Sequence, residues 1–237
     1  ALPYIVKDTY NQVATATYTP TIEAPPVAVN DTPAKGANDV NQIINLLTND
    51  TKSPSTNAAF DPTTVKLCAS NETAPNCSKT TLTTADGVYT VDPVTGVVTF
   101  NPDSDVVGTV TEPVHYQVAD VQGQVVTAVL TPSVAGLPVA VNDTSTGAFN
   151  QPQSQTVLGN DSSNTGTALS ASTIKLLDPA TSQYGTTAVT IANQGTYTIS
   201  GASIVFTPVN GYAGTPTPVT YQVTDSLNQS VTATYTP

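Results

Sequence analysis

The sequence has no arginine, tryptophan or methionine, a single histidine, two cysteines and no long apolar run. Its six basic residues are all lysines and stand against 17 acidic residues, which gives a net charge of −11. Nucleic-acid binding requires a basic patch that neutralises phosphates, so this composition excludes that class. No segment has the length and apolarity of a membrane span, and the charge disfavours anionic membrane surfaces, so we expect no membrane insertion.

Four motifs occur twice, in the same order. The pairs are Pro26–Thr32 with Pro138–Thr144, Leu47–Asp50 with Leu158–Asp161, Thr64–Leu67 with Thr173–Leu176, and Pro113–Val118 with Pro218–Val223. The spacing falls from 112 residues at the first pair to 105 at the last, which is the length of a small domain. We therefore expect two like domains, at residues 25–133 and 134–237. Tandem arrays of this kind are usually architectural.

The N-terminal residues repeat the end of the chain. Tyr4–Asp8 matches Tyr221–Asp225, and Ala16–Pro20 matches Ala233–Pro237. Residues 1–24 are therefore predicted to be the closing hairpin of a preceding repeat with its linker. Because a lone hairpin is marginal in water and the chain has no initiating methionine, we expect an excerpt of a longer protein, a processed product, or a hairpin that packs on something outside this sequence.

The strands are predicted by period-two alternation and by turn residues. Val219–Thr224 and Val231–Thr236 alternate apolar and polar residues, which is typical of antiparallel strands with one buried face. Asp92–Gly96 is a hairpin loop in which proline presets φ and glycine accepts a positive φ. About seven short strands per repeat indicate an all-β fold of tandem Ig-like antiparallel β-sandwiches.

The front of each repeat is predicted to add one more strand, at residues 40–47 and 156–158. The alternation also predicts which side chains fill the sandwiches. In the first repeat these are Val29, Ile44, Leu47, Val65, Leu67, Tyr89, Val91, Phe100, Tyr116 and Val118, together with their counterparts in the second repeat. The linkers Pro20–Pro26 and Pro132–Pro138 are short and contain prolines, which favour an extended and semi-rigid backbone. We expect domains joined in this way to form a stiff string.

The ordered set of motifs resembles a known family. It comprises Pro26–Thr32, the Leu-x-Asn-Asp of residues 47–50, the hairpin Asp92–Gly96, Phe206–Pro208 with Gly211–Gly214, and the ending Val219–Asp225 with Ala233–Pro237. Together these are similar to the CshA-type fibril repeats and related cadherin-like tandem repeats of bacterial surface adhesins. The first repeat departs from the pattern at residues 103–107. The resemblance implies an extracellular stalk or fibril that projects an adhesive domain from a bacterial cell surface.

Cys68 and Cys77 flank a polar loop and have no counterparts in the second repeat. Two thiols in a surface loop of an exported protein favour a local disulfide. The rival interpretation is a metal site. Two thiolates without further cysteines or a nearby histidine would make a poor zinc site, so the disulfide is the preferred interpretation.

Catalysis is not expected. His115 lies in a predicted strand, and Thr220 takes its place in the second repeat. The glutamates Glu23, Glu72 and Glu112 are not shared between the repeats either. Neither a nucleophile–histidine pair nor a phosphate-binding glycine loop is evident, so no enzyme activity and no organic cofactor are predicted.

Recurring aspartates suggest calcium at the joints between repeats. If the last hairpin turn lies near the first strand, Asp120 approaches Asp31 and the linker residue Glu23, and Asp225 approaches Asp143. Such hard oxygen ligands are those that Ca²⁺ prefers. The alternative is that these side chains only bond backbone amides in turns, which the absence of a compact Asp-x-Asp-x-Asp run favours.

The sequence thus predicts a structural segment of an extracellular adhesin stalk whose partners are the adjacent repeats and whose surface ligand is unknown. One alternative is a self-assembling filament subunit, completed by strand addition from a neighbour. Another is a glycan-binding module. Such modules present exposed aromatic rings, and only Tyr10, Tyr184 and Tyr212 fall in predicted loops.

Overall fold

The computed structural model describes residues 1–22, 24–54 and 58–237. Within these ranges the chain forms strands and three short 3₁₀ helices, and no helix there is long and apolar enough to cross a bilayer. The first two strands, β1 (Leu2–Lys7) and β2 (Val13–Tyr18), make an antiparallel hairpin whose residues are all exposed. The rest of the chain forms two β-sandwiches of the same design.

The first repeat contains nine of the described strands. These are β3 (Gln42–Ile44), β4 (Phe60–Leu67), β5 (Thr81–Thr84), β6 (Gly87–Val91), β7 (Val98–Pro102), β8 (Gly108–Thr109), β9 (Val114–Asp120), β10 (Val125–Leu130) and β11 (Ser133–Val134). One sheet has the order β10-β9-β4 and the other β3-β7-β6-β5, while β11 pairs with β8. The segment at Asp31 lies parallel to the outer edge of β10, opposite Leu130.

The second repeat contains the other nine. These are β12 (Asp143–Thr144), β13 (Gln153–Thr156), β14 (Lys175–Asp178), β15 (Gln183–Thr186), β16 (Ala188–Ile191), β17 (Gly195–Ser200), β18 (Ser203–Pro208), β19 (Val219–Thr224) and β20 (Ser230–Thr236). Its sheets have the orders β12-β20-β19-β14-β15 and β13-β18-β17-β16. The parallel pair β12–β20 repeats the bridge at Asp31. The predicted all-β, Ig-like tandem fold is confirmed.

Each repeat has its own hydrophobic core between its two sheets. In both cores a pair of aromatic rings sits at directly paired positions on neighbouring strands of one sheet: Tyr89 with Phe100, at 4.4 Å between ring centroids, and Tyr197 with Phe206, at 4.8 Å. All four rings are buried, so each pair provides a large share of its core. Of the predicted core residues in the first repeat, eight are buried: Ile44, Val65, Leu67, Tyr89, Val91, Phe100, Tyr116 and Val118.

Of the other two predicted core residues, Val29 is exposed and Leu47 packs against the core while only partly buried. Val29 is 44% exposed, because the residues before Asp31 run along the edge of the sandwich without a regular strand partner. The strand predicted over residues 40–47 ends at Ile44 and is followed by a 3₁₀ helix at Leu46–Thr48, which turns Leu46 inward and leaves Leu47 partly buried. In the second repeat β13 ends at Thr156, so residues 157 and 158 likewise belong to a 3₁₀ helix.

The last strand of the first repeat, β11, leads directly into the linker. Val134, which the sequence analysis assigned to the second repeat, pairs through β11 with the first repeat and is fully buried in its core. In the linker that follows, Ala135 and Gly136 are also buried, whereas Leu137 is 57% exposed. The joint is therefore a packed contact.

Candidate functional site

A buried tyrosine and a buried aspartate are hydrogen-bonded in each repeat. In the first, the Tyr116 hydroxyl on β9 donates to Asp31 Oδ2 at 2.8 Å. Both side chains are buried, and they come from residues 85 positions apart. The bond therefore joins the first segment of the repeat to its closing hairpin, β9–β10. We call this hydrogen-bonded pair the tyrosine–aspartate clasp.

The Leu-x-Asn-Asp motif holds the same segment from the other side. Asp50 Oδ1 accepts a hydrogen bond from the Val29 amide at 2.8 Å, and Asn49 Nδ2 donates to the Asn30 carbonyl at 3.1 Å. Asn30 Oδ1 in turn accepts from the Val129 amide on β10. The two sequence motifs therefore recur together because they satisfy one another's polar groups at a strand edge.

The second repeat reproduces the arrangement. The Tyr221 hydroxyl lies within hydrogen-bond distance, 3.0 Å, of both Asp143 Oδ2 and Asp161 Oδ2. Asp161 Oδ1 accepts a hydrogen bond from the Val141 amide at 2.8 Å. Asn142 Oδ1 accepts from the Thr234 amide, as Asn30 does in the first repeat. The aspartates are recognisable from sequence because they recur, but their tyrosine partner is not, because alternation indicates only that a tyrosine faces inward.

The clasp places carboxyl groups where water cannot solvate them well. Burial raises the pKa of Asp31 to about 6, although the hydrogen bond from Tyr116 opposes the shift. The neighbouring Asp50 carboxylate adds to the rise. Burial also raises the pKa of Asp50 and of Asp161. Burial therefore favours the protonated form of Asp31, Asp50 and Asp161, so these carboxyl groups keep their protons to a higher pH than exposed ones do.

The aspartates predicted to hold calcium in pairs do not lie side by side. Asp31 is opposite Leu130, which pairs with Val114 at the start of β9, whereas Asp120 ends that strand. The two positions are six residues apart along β9, a distance on the order of 20 Å. In the second repeat Asp143 is opposite Tyr235 on β20, which pairs with Val219 at the start of β19. Asp225 follows the other end of β19.

The predicted pairing of Asp31 with Asp120, and of Asp143 with Asp225, is therefore wrong. Glu23 lies outside the described residues. Among the residues that are described, no three or more His, Cys, Asp or Glu side chains gather into a group suited to a metal ion. Calcium binding stays a prediction.

Asp120 and Asp225 both organise the turn of a closing hairpin. Asp120 Oδ1 accepts from the amides of Gln122 and Gln124 at 3.0 and 2.8 Å. Asp225 Oδ1 accepts from the amides of Leu227 and Gln229 at 2.8 and 2.9 Å. These contacts correspond to the turn chemistry that the sequence analysis weighed against calcium.

The turn of the second repeat lies at the joint. Gln229 is buried, and its Oε1 accepts from the amide of Asn38 in the first repeat at 2.8 Å. Its Nε2 donates to the carbonyl of the linker residue Gly136 at 3.3 Å. Lys35 adds a second link between repeats by donating to the carbonyl of Asn164 at 3.2 Å. The joint is thus held by polar contacts as well as by the buried linker.

A further polar contact was missed from sequence. Asp86 is buried and accepts from the amides of Thr111 and Glu112 at 2.8 and 2.9 Å. Gln194 takes the same place in the second repeat and accepts from the Thr217 amide at 2.6 Å. The signal was weak because an aspartate in one repeat and a glutamine in the other do not register as a repeated residue.

The residues that occur only in the first repeat meet at one groove. Cys68 and Cys77 form a disulfide, and Cys68 lines an open groove of about 680 Å³ together with Glu72, Glu112 and His115. Glu72 braces the disulfide loop by accepting from the Ala69 amide at 2.9 Å. Hydrogen bonds, chiefly from the Ser78 hydroxyl, lower the pKa of Glu72. These contacts stabilise the loop.

Comparison with known proteins gives a family. The family model described as the surface adhesin CshA repetitive domain matches the chain twice in tandem, at residues 26–134 and 135–237. No curated protein matches the chain.

Several solved structures are similar to this chain at low identity and low TM-score. The insect immune protein hemolin is 13% identical over 90% of this chain and 49% of its own, with a TM-score of 0.38. A mutated variant of titin domains I67–I69 is 10% identical over 99% of this chain and 64% of its own, with a TM-score of 0.34. Mouse cadherin-23 EC22–24 is 9% identical over 99% of this chain and 71% of its own, with a TM-score of 0.35. This chain therefore spans less than two thirds of the hemolin and titin chains.

Proposed function

The chain belongs to the family of surface adhesin CshA repetitive domains, and from this premise we propose that it is a stalk segment of an extracellular bacterial adhesin. Its two sandwiches would act as a rigid spacer between a cell surface and an adhesive domain. In this proposal the function is mechanical, the location is the cell surface, and the chain catalyses no reaction.

The packed joint is the observation that carries this proposal. A flexible tether would expose most of its linker, but Val134 and Ala135 are fully buried and Gly136 is buried, and within residues 132–138 only Leu137 is exposed. A Cβ atom on Gly136 would lie 3.2 Å from Val107 and 3.3 Å from Asn164, so the linker passes closely between the two repeats. Close packing and polar contacts at a joint restrict the relative motion of the domains.

We also propose that residues 1–24 are the closing hairpin and linker of a preceding repeat. The pairs Leu2–Tyr18 and Tyr4–Ala16 match Val219–Tyr235 and Tyr221–Ala233 in register. In the second repeat these four residues are buried, whereas Leu2, Tyr4 and Tyr18 are 64%, 48% and 60% exposed. The hairpin therefore presents an inward face that a complete repeat would cover.

The filament alternative would use this hairpin to complete a neighbour by strand addition. Both repeats already contain their own closing hairpins, β9–β10 and β19–β20, each packed against the rest of its sandwich. In the described part of the chain neither sandwich is left open at that position. This favours the stalk over the filament.

Light scattering and small-angle X-ray scattering of the intact chain test the stalk proposal. Two sandwiches in line, at roughly 40 Å each for strands that rise about 3.3 Å per residue, predict a monomer with a maximum dimension of about 80 Å or more. A compact particle, with the repeats side by side, would contradict the proposal. Growth into polymers at rising concentration would support the filament.

A further inference from the structure

The turn of the closing hairpin has the same sequence pattern in all three copies. An aspartate is followed four residues later by a glutamine, at Asp8–Gln12, Asp120–Gln124 and Asp225–Gln229. In each the aspartate Oδ1 accepts from the amides two and four residues on, at 2.8–3.0 Å. The fourth residue has a positive φ in each: Asn11, Gly123 and Asn228. We call this five-residue segment the entry turn.

The hydrogen bonds within the entry turn explain why an aspartate recurs at its first position, but they do not explain why a glutamine recurs at its fifth. The turn uses only the backbone amide of its fifth residue, so a side chain of another type would serve equally well. The same glutamine nevertheless stands in all three copies. Its carboxamide, which can both donate and accept, therefore calls for a separate explanation.

Gln229 supplies that explanation. Its Oε1 accepts from the Asn38 amide at 2.8 Å, while its Nε2 donates to the Gly136 carbonyl at 3.3 Å and to Asp225 Oδ2 at 2.8 Å. One side chain thus joins the preceding repeat, the linker and the entry turn. Leucine could make none of these bonds, and glutamate could not donate.

Asn38 belongs to a turn that both repeats contain, which we call the exit turn: residues 36–39 in the first repeat and 147–150 in the second. Its last residue has a positive φ in both cases, 54° at Asp39 and 59° at Asn150. Its first residue is a glycine against which a glutamine of the following strand packs. The second repeat therefore carries the same exit turn, with Phe149 in the place of Asn38 and 64% exposed.

The entry turn of the first repeat lacks what Gln229 contacts. Asp120 is only 2% exposed, yet its Oδ2 has no hydrogen-bond partner among the described residues, whereas Asp225 Oδ2 accepts from Gln229. Ile22 is 95% exposed at the linker position where Val134 is fully buried in a preceding repeat. The buried carboxylate oxygen and the exposed isoleucine both lie where a neighbour would pack.

We propose that the entry turn Asp120–Gln124 is a docking site for the exit turn of a complete repeat of this family that precedes it in tandem. Gln124 Oε1 accepts a hydrogen bond from the backbone amide of the third residue of that exit turn, which is the residue just before the one with a positive φ. Gln124 Nε2 donates to Asp120 Oδ2 and to the carbonyl of Ala24, which stands where Gly136 stands in the second joint. This inference rests on the proposed stalk function and names the contact that fixes the order of repeats.

The test extends the chain by one repeat. A copy of residues 25–132 followed by residues 21–24 is inserted after Ala24, so that the native first repeat gains a complete neighbour and keeps its linker. Nitrogen-15 NMR then measures hydrogen exchange of the Gln124 and Gln229 side-chain amides in the intact and the extended chain. In the intact chain we expect Gln229 to exchange at least tenfold more slowly than Gln124.

In the extended chain the Gln124 amide of the native first repeat should become as protected as that of Gln229. Unchanged exchange at Gln124 would overturn the proposal. Protection that appears in the intact chain and grows with its concentration would also overturn it as stated, because a second copy would then occupy the site.

Paired variants separate the contact from general stability. Gln124→Leu in the native first repeat should lower the melting temperature of the extended chain but not that of the intact chain. Gln122→Leu, in the same turn of the same repeat, should change neither melting temperature. Equal effects of the two variants would contradict docking. Small-angle scattering of the extended chain tests the stalk separately: if its length grows by one repeat while Gln124 stays unprotected, the stalk proposal stands and the docking proposal fails.

Discussion

The Tyr116 hydroxyl donates a 2.8 Å hydrogen bond to Asp31, and both groups are buried in the first repeat. Tyr221 and Asp143 make the same contact in the second repeat at 3.0 Å. The bond spans most of a repeat in sequence and joins the edge segment to a central strand of the sheet, β9 in the first repeat and β19 in the second. The recurring Asn-Asp motif is therefore explained by folding, since it closes the sandwich.

Tyr116→Phe should lower the free energy of unfolding of the first repeat by about 1–3 kcal/mol, because Asp31 loses its buried donor. Urea denaturation monitored by circular dichroism measures the change. Tyr10→Phe is the control, since Tyr10 is 84% exposed and its substitution should have no effect within error. Equal stability of the two variants would show that the clasp is not a stabilising contact.

The clasp should make the first repeat more stable in mild acid. The pKa of Asp31 is raised from 3.8 to about 6 by burial, so the folded state holds its proton more tightly than the unfolded chain. The contribution of Asp31 to stability is then greatest below pH 4 and is lost as the pH rises towards about 6. Melting temperatures measured across this range should fall with rising pH.

Asp31→Asn should flatten that pH dependence, because the amide stays uncharged throughout. Asp39→Asn provides a control with the same change in charge at an exposed position. The slope should persist in Asp39→Asn. If both variants keep the wild-type slope, Asp31 is not the titrating group.

A methyl group at Gly195 should destabilise the second repeat strongly. An added Cβ would overlap the Thr207 carbonyl oxygen and approach the Phe206 ring within 2.6 Å, at the end of the β17–β18 hairpin opposite its turn. Gly195→Ala should cost on the order of 2 kcal/mol, and Gly159→Ala, with nothing within 4 Å of its Cβ, should cost much less. Chemical denaturation of both variants compares them directly, and similar losses would contradict the expected overlap.

Calcium binding can be tested by calorimetric titration of the chelator-treated chain. Because Asp120 and Asp225 already accept backbone amides in their turns, the turn interpretation predicts no saturable heat and no rise in melting temperature. Saturable heat that Asp225→Asn abolishes would instead establish a calcium site at the joint.

The sequence predicted the repeated and alternating parts of the fold best. Tyr221 and Val223 on β19 face inward as their spacing indicates, because a strand with one buried face imposes a period of two on its side chains. Duplication of motifs located both domains, since copies of one sandwich must keep the same turns and core positions. Asp92–Gly96 forms the expected turn, with Asp92 accepting from the Val94 and Thr95 amides.

The contacts between distant segments could not be predicted in this way. Nothing in the local pattern shows that Asp31 runs beside Leu130, so its partner Tyr116 was missed and Asp120 was wrongly placed next to it. Leu46 replaced Leu47 in the core because a 3₁₀ helix interrupts the alternation. The role of Gln229 depends on how one repeat meets the next, which the sequence of a single repeat does not encode.

The most direct test of the account is whether the two repeats orient as one body in solution. Residual dipolar couplings of the backbone amides, measured separately for residues 26–134 and 135–237, give an alignment tensor for each repeat. A packed joint held by Gln229, Asn38 and the buried linker predicts two tensors of equal magnitude and common orientation. Tensors of clearly different magnitude would show independent tumbling and contradict a stiff stalk.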